Sequence, residues 1–109
     1  MRAAKVDANH GEIVETLRAL GASVQSLATV GDGCPDILVG WRGRNTVLEI
    51  KDGDKPPSAR KLTPREQRWS DEWKGQVMTV MNVMDAVVLV FGGGSDQHVT
   101  VYKRALRDA

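Results

Sequence analysis

Three residues of types that could do chemistry lie in the mostly apolar stretch from Gly31 to Gly53. Asp36 stands near its start, and Glu49 and Lys51 stand near its end. Two close carboxylates repel each other, so burying them together is costly unless a cation neutralises them. Mg²⁺ suits this role, since it prefers oxygen ligands and needs only one or two protein carboxylates beside a substrate phosphate. A lysine next to such an ion can orient or activate water and stabilise phosphate charge, as in a metal-dependent phosphodiesterase.

A β-hairpin would bring these three side chains together. If Trp41 pairs with Thr46 across a tight turn, Asp36 lies opposite Lys51. Because side chains alternate between faces with a period of two, Glu49 then joins them on one face. A slip of one residue would break this arrangement, and an E-x-K strand can also be the solvated face of a sheet. The predicted strands and the connection between them are 36–41, 46–51 and "RGRN".

The flanking sequence predicts a mixed α/β order, α-β-β-β-α-β. A first helix over 7–21 has Asn9 as its N-cap, and a strand over 23–30 follows. Pro56 and Pro57 mark a loop. In the second helix Thr63 and Glu66 form a capping box, with Pro64 at the first position and Gly75 at the end. A strand over 76–81 comes next. The segment 82–94 is ambiguous, with helix favoured, and a last strand is expected at "HVTVYK".

Length and composition indicate one soluble domain. The chain has 109 residues, 41% hydrophobic and 27% charged, with a net charge of +1. The single cysteine, Cys34, excludes an internal disulfide framework and favours a reducing, cytoplasmic compartment. No signal-peptide pattern stands at the start, and the apolar run 77–91 is too short to span a bilayer.

Basic residues cluster in the middle third of the chain, where they would attract a phosphate backbone, although a solvated face would look the same. Five of them, in the loop and the second helix, are predicted DNA phosphate contacts: Lys55, Arg60, Lys61, Arg65 and Arg68. Trp69 and Trp73, four residues apart, are interpreted as core or interface residues rather than as base-stacking platforms.

Four features together resemble the PD-(D/E)XK nuclease superfamily, and more narrowly its small stand-alone VRR-NUC-type nucleases of bacteria and phages. They are Glu12 in the first helix, "GDGCPD" ending at Asp36, "EIK" from Glu49 to Lys51, and "LTPREQ" ending at Gln67. The resemblance spans roughly residues 7–85. It implies a restriction-endonuclease-like core at about 7–91, within a single nuclease-like domain of residues 1–109. The role of the tail, 92–109, is left open.

The resemblance also implies roles for individual residues. Asp36 and Glu49 would bind Mg²⁺ or Mn²⁺ together with the carbonyl of Ile50, and Lys51 would be the catalytic lysine. Glu12 would add a third metal-binding acid, and Glu15 is a substitute for it in that role. Glu12 could instead close a capping box at the start of the first helix. Gln67 would orient Lys51 or the water, or simply be solvated. Cys34 is taken as structural.

The resulting hypothesis is a Mg²⁺- or Mn²⁺-dependent endodeoxyribonuclease. By analogy with the family it would be structure-selective on branched DNA, similar to a Holliday-junction resolvase, and would act as a homodimer. The alternative is a catalytically inactive nucleic-acid-binding or assembly module with the same fold. Accidental acids on an α/β interaction domain are a third interpretation.

Overall fold

The computed structural model describes residues 7–92, and within them three α-helices and four strands. In chain order the elements are α1 (His10–Ala19), β1 (Ser23–Ser26), β2 (Ile37–Trp41), β3 (Arg44–Ile50), α2 (Pro64–Glu72), β4 (Val77–Val80) and α3 (Val83–Phe91). The predicted last strand at 98–103 lies outside the described residues.

The strands form one mixed sheet in the order β1-β2-β3-β4. β1, β2 and β3 are antiparallel neighbours, and β4 runs parallel to β3 after the crossover through α2. One face of the sheet packs on α1 and α3, where the fully buried side chains include Ile13, Leu17, Ile37, Leu48 and Ile50. The predicted mixed α/β fold, a sheet flanked by helices, is confirmed.

The hairpin between β2 and β3 has a different register from the predicted one. Ile37 pairs with Leu48, and Trp41 pairs with Arg44 rather than with Thr46. The connection is a two-residue turn in which Arg42 has φ 48° and Gly43 has φ 78°. Positive φ at both central positions is the type I′ conformation, whose twist matches that of a hairpin. The predicted register was therefore wrong by two residues, but a shift of two leaves every side chain on its predicted face.

The start of α1 also departs from prediction. Asn9 precedes the helix, yet its side chain makes no capping hydrogen bond. Its Nδ2 instead donates to the backbone carbonyls of Lys51 and Met81, at 3.1 Å each. Asn9 thus ties the start of α1 to the segments that follow β3 and β4, and no capping box with Glu12 forms.

The predicted cap of α2 is confirmed. The Thr63 side chain accepts from the Glu66 N–H, and the Glu66 carboxylate accepts from the Thr63 N–H. α2 nevertheless ends at Glu72, before the predicted stop at Gly75, because Trp73 is already extended.

Smaller differences concern three other segments. The proline loop contains one 3₁₀ turn, Pro57–Ala59, and β1 ends at Ser26 instead of reaching Val30. The ambiguous segment after β4 is the helix α3, which begins where the Asn82 side chain accepts from the Asp85 N–H. None of the described helices is long and apolar enough to cross a membrane.

Candidate active site

Asp36 is held in place immediately before β2. Its N–H donates to the Leu48 carbonyl at 3.0 Å, and its own carbonyl accepts from the Leu27 N–H at 2.8 Å. Its Oδ2 accepts from the Ile50 N–H at 2.6 Å. Bonds from the neighbouring strand thus orient the carboxylate as well as the backbone, so Asp36 has little freedom to move away from β3.

Glu49 and Lys51 lie at the end of β3, and their side chains are on the same face of the sheet as that of Asp36. Glu49 is only 5% exposed and Lys51 only 9%, which is unusual for charged residues. The Lys51 Nζ lies 3.6 Å from a Glu49 carboxylate oxygen and 2.9 Å from the Oε1 of Glu66 on α2. Since the Glu66 carboxylate also caps α2, the start of that helix is joined directly to the lysine.

These groups line one cleft of about 240 Å³ that opens to solvent. The first turn of α2 forms one wall, and the loop before β2 forms another. The charged or polar side chains lining it are those of Asp7, Cys34, Asp36, Glu49, Lys51, Thr63, Arg65 and Glu66. The three residues singled out from the sequence for chemistry therefore lie together in one cleft.

Burial and nearby charged groups shift the pKa values of the acids that line this cleft. Burial, a hydrogen bond with Glu66 and the charge of Asp36 together raise the pKa of Glu49 to about 9. Burial also raises the pKa of Asp36, against the opposing effects of the Ile50 N–H and the His10 charge. In Glu66 the burial effect is overcome by hydrogen bonds with Glu49, Lys51 and the Thr63 N–H, which lower its pKa to about 2.

Lys51 behaves differently because its surroundings are acidic. Burial lowers the pKa of its ammonium group, but the hydrogen bond and charge of Glu66 and the charge of Glu49 outweigh that effect and raise the pKa overall. Lys51 is therefore a cation at neutral pH. Burial, followed by the charges of Glu49 and Asp36, raises the pKa of the Cys34 thiol, which keeps it protonated and unreactive.

The donor set fits a hard divalent cation. Asp36 and Glu49 offer carboxylate oxygens, and Ile50 lines the same cleft. Within residues 7–92 no group of three or more His, Cys, Asp and Glu side chains is arranged to hold a metal ion. Two carboxylates completed by waters and a substrate phosphate are a typical arrangement for Mg²⁺. The acids present are therefore suitable in kind and number for such a site.

Comparison with known proteins supports the same interpretation. No protein-family model matches the sequence, and no curated protein matches it. A solved structure described as a VRR_NUC domain does match, with a TM-score of 0.58 and 25% sequence identity. The match covers 80% of this chain and 99% of the other. This chain has the fold of a VRR_NUC domain. The resemblance predicted from its motifs is confirmed, and the chain is a nuclease-like domain.

The VRR_NUC-like fold does not bring Glu12 and Gln67 to the cleft. Glu12 is exposed and lines a different cavity, beside Asn9 and Gly53. Gln67 is also exposed, and its side-chain amide donates to Asp71 at 2.8 Å. The expected alternative for Gln67, a solvated position, matches this placement. Glu15 is exposed on α1 and is absent from the cleft lining.

Of the five predicted phosphate-binding residues, only Arg65 lines the cleft. Arg65 is exposed, as are Lys61 and Arg68 nearby in sequence. Lys55 forms an ion pair with Asp7 at 2.8 Å. Arg60 is half-buried, and its Nη1 donates to the sulfur of Met81 at 3.7 Å. Arg60 thus supports the loop rather than offering its guanidinium freely to solvent.

Two residues of the site were missed by sequence reasoning. Glu66 was interpreted only as a helix cap, although its carboxylate also binds Lys51. His10 was treated as isolated, yet it is among the groups that lower the pKa of Asp36; it does not line the cleft, and its Nδ1 is buried without a hydrogen-bond partner in the described part of the chain. A carboxylate directly beside the expected glutamine was the available signal for Glu66, and no local pattern pointed to His10.

Proposed function

We propose that this protein is a metal-dependent endodeoxyribonuclease that hydrolyses phosphodiester bonds. The observation that carries the proposal is the convergence of Asp36, Glu49 and Lys51 in one solvent-open cleft, where Asp36 is half-buried and Glu49 and Lys51 are buried. A surface of accidental charges would not be buried in this way, because each buried charge has a desolvation cost. The VRR_NUC-like fold supports the same reaction class.

Lys51 would act through its positive charge. Its raised pKa makes it a poor proton acceptor at neutral pH, so it is unsuited to be the general base. Its ammonium group can donate hydrogen bonds to the phosphate oxygens on which negative charge increases during the attack of water. Glu66 would hold that group in position, since its Oε1 lies 2.9 Å from the Lys51 Nζ.

Asp36 and Glu49 would hold a Mg²⁺ or Mn²⁺ ion, with the Ile50 carbonyl as a further candidate ligand. When bound, such an ion supplies Lewis-acid polarisation of the phosphate and increases the acidity of water. The protein's own contribution is to orient Asp36 through the Ile50 N–H and to place the Asp36 and Glu49 carboxyl groups in one cleft.

The substrate and assembly are inferred from the resemblance to small VRR-NUC-type nucleases. We expect branched DNA, cut by a homodimer whose two sites act on paired strands, in the reducing cytoplasm of a bacterium or a phage-infected cell. Arg65 and Arg68 on α2, with Lys61 before it, are exposed and would contact phosphates without reading sequence.

A cleavage assay tests the proposal. Labelled four-way junction, flap, linear duplex and single-stranded DNA are each incubated with Mg²⁺, Mn²⁺ or EDTA. We expect metal-dependent cutting that is strongest on branched DNA and is reduced at least about 10²-fold in Asp36→Ala, Glu49→Ala and Lys51→Ala. Gln67→Ala is the matched control outside the cleft. A variant that folds and cuts at the wild-type rate would contradict its residue's assigned role.

The alternative, an inactive nucleic-acid-binding or assembly module, makes a different prediction in the same assay. It would bind DNA without metal-dependent cutting of any substrate. The intact set of Asp36, Glu49 and Lys51 in the cleft favours the enzyme, because a module without catalysis gains nothing from the cost of burying Glu49 and Lys51.

A further inference from the structure

The outer side of α2 exposes a pair of tryptophan rings. Neither ring belongs to the hydrophobic core, and α2 has no buried residue. Trp69 is half-buried and Trp73 is 46% exposed. The ring centroids are 4.6 Å apart with an angle of 19° between planes, so the indoles are stacked on each other. Trp69 and Trp73 were interpreted as core or interface residues, and the core part of that interpretation was wrong. The exposed aromatic face therefore requires an explanation outside the core.

The exposed ring is held in a defined orientation. One face of Trp73 is stacked on Trp69, and a Cβ added at Gly75 would lie only 2.9 Å from the Trp73 Nε1. The backbone N–H of Trp73 also donates to the Trp69 carbonyl at 3.1 Å. A ring packed on two sides loses little conformational entropy when a planar ligand binds to it, so the indole surface of Trp69 and Trp73 is preorganised for binding.

Arginines lie between the indole surface and the catalytic cleft. A cavity of about 390 Å³ is lined by Asp32, Arg65, Arg68, Trp69 and Glu72. Although two acids share this cavity, neither Arg65 nor Arg68 takes part in an ion pair within residues 7–92. Their guanidinium groups are therefore available for phosphate, which they can bind through two parallel hydrogen bonds.

The two cavities meet at one residue of α2. Arg65 lines both the cleft that holds Lys51 and the cavity beside Trp69. A DNA strand whose phosphate occupies the cleft can thus follow Arg65 and Arg68 to the indole surface. This order, reactive site, then arginines, then aromatic rings, combines the backbone contacts and stacking platforms used to bind single-stranded nucleic acid.

We propose that the indole surface binds an unpaired base of the strand to be cut, while Arg65 and Arg68 bind the phosphates leading to it. The inference rests on the proposed nuclease function and narrows its substrate to DNA with unpaired nucleotides beside the scissile phosphate. Inside a duplex each base is stacked on its neighbours, so an indole gains this contact only when a base is unpaired or unstacked.

A second copy of the chain is a less suitable occupant of this surface. Burying Arg65 and Arg68 against a protein would desolvate two guanidinium groups that have no ion-pair partner within the described residues. A phosphate backbone supplies the opposite charge for both. Charge complementarity and the Arg65 lining shared with the cleft therefore favour nucleic acid, and self-association is an outcome that the experiment must detect.

The test compares two DNAs of equal length in EDTA, so that binding is measured without metal-dependent cutting. One is fully paired, and the other carries a short unpaired flap with 2-aminopurine as the fluorescent base. The full-length protein is compared with Trp73→Ala, Trp73→Phe and Leu20→Ala. Leu20 is a matched control, since it is 47% exposed and lies beyond the end of α1. Thermal unfolding verifies that each variant is folded.

We expect Trp73→Ala to weaken binding of the flapped DNA by about tenfold, the usual order for losing one stacked base, and to change duplex binding by less than about twofold. Trp73→Phe should retain most of the affinity because it keeps an aromatic face, and Leu20→Ala should bind like the wild type. Quenching of the 2-aminopurine should occur with the wild type and disappear in Trp73→Ala.

Three results would overturn the inference: no loss of affinity, an equal loss on both DNAs, or a wild-type dimer that Trp73→Ala dissociates. Metal-dependent cutting of the same flapped DNA separates this inference from the proposed function. Trp73-dependent binding without any cutting would contradict the nuclease function alone, and cutting with Trp73-independent binding would contradict the base contact alone. Failure both to bind either DNA and to cut the flapped DNA would contradict both.

Discussion

At the scale of single residues, the site is organised around Lys51 and the acids that surround it. Two carboxylates, those of Glu49 and Glu66, lie 3.6 and 2.9 Å from the one ammonium group, and they differ in protonation. Glu66 is ionised and paired with Lys51, whereas Glu49 retains a proton until its pKa of about 9. Groups whose environments separate their pKa values in this manner are typical of functional sites. The arrangement gives Glu66 a positioning role that the sequence had assigned to its neighbour.

Replacing Glu66 tests this positioning role. Glu66→Gln keeps the shape of the side chain but removes the charge that holds the Lys51 ammonium group at 2.9 Å. We expect cleavage to slow by about 10- to 100-fold, as for other supporting residues of metal sites. Because Glu66 raises the pKa of Lys51, the alkaline limb of the pH–rate profile should move to lower pH.

Gln67→Ala is the control for that experiment, since Gln67 is exposed and bonded to Asp71. Its activity should stay within about threefold of the wild type, because substitutions of exposed residues away from a site usually have small effects. Its pH profile should be unchanged. The reverse result, a silent Glu66→Gln and an inactive Gln67→Ala, would restore the assignment implied by the family resemblance.

The metal-free protein should lose stability as the pH rises. The pKa of Glu49 is raised from 4.5 to about 9, so the folded state binds more protons than the unfolded state between these values. Its contribution to the free energy of unfolding is fully present below pH 4.5 and is lost as the pH rises through about 9. For Glu66 the sign is opposite, because its lowered pKa makes a contribution that is lost as the pH falls through about 2.

Thermal unfolding in EDTA measures this dependence. We expect the Tm to fall as the pH rises from about 5 to about 9, because the proton that favours the folded state at Glu49 is lost over this range. Glu49→Gln should flatten that fall because its neutral amide has no proton to lose. A Glu49→Gln protein with the same slope as the wild type would show that other groups dominate.

At the scale of elements, the position of α2 depends on the glycine loop before β2. Gly33 has a φ of +81°, and a Cβ there would overlap the Arg65 carbonyl and lie 2.8 Å from the Glu66 nitrogen. The loop backbone therefore approaches the first turn of α2 more closely than a side chain would allow. This contact places Glu66 over the end of β3, so the helix end and the strand end form one site.

Gly33→Ala should disturb activity as well as stability. Its Cβ must displace the first turn of α2, which separates Glu66 from Lys51. Gly31→Ala is a matched control, since Gly31 has a φ of +82° but nothing within 4 Å of an added Cβ. Both substitutions should cost about 1–2 kcal/mol for the left-handed backbone.

Only Gly33→Ala should in addition slow cleavage, by the same order as Glu66→Gln. Urea unfolding gives the stability change, and single-turnover cleavage gives the rate. Equal activity in the two glycine variants would show that the approach of the loop to α2 is unimportant for the site.

At the scale of the whole molecule, the proposed metal site should make the stability of the fold depend on divalent cations. A cation that binds only the folded state stabilises it by mass action, by about 2.7 kcal/mol at a hundred times its Kd. For a domain of this size we expect Mg²⁺ to raise the Tm by roughly 4–8 °C per kcal/mol of stabilisation. Asp36→Ala should abolish the increase.

This measurement needs no DNA and no turnover, so it tests the metal site separately from the reaction. Gln67→Ala, which leaves Asp36 and Glu49 in place, should show the full Mg²⁺ effect. An equal increase in Asp36→Ala would place the cation elsewhere on the molecule.

The sequence by itself determined the features that depend on local periodicity and capping. The alternation of side chains along two strands was enough to put Asp36, Glu49 and Lys51 on one face. The capping box at Thr63 likewise follows from side-chain and backbone groups only a few residues apart. The motif pattern also identified the VRR_NUC-like fold, because the order and spacing of its parts are properties of the chain.

Only the tertiary structure decided which side chains reach the cleft. Hairpin register depends on the turn conformation, and the positive φ values at Arg42 and Gly43 produced a two-residue turn in place of the expected four. Successive residues of a helix point about 100° apart, so the choice between Glu66 and Gln67 depends on how α2 is rotated about its axis. That rotation is set by contacts such as Gly33 with the first turn of α2, which join segments distant in sequence. The position of α1 is also set by contacts between distant segments. The Asn9 side chain donates to the carbonyls of Lys51 and Met81, which follow β3 and β4, and Glu12 lies outside the cleft.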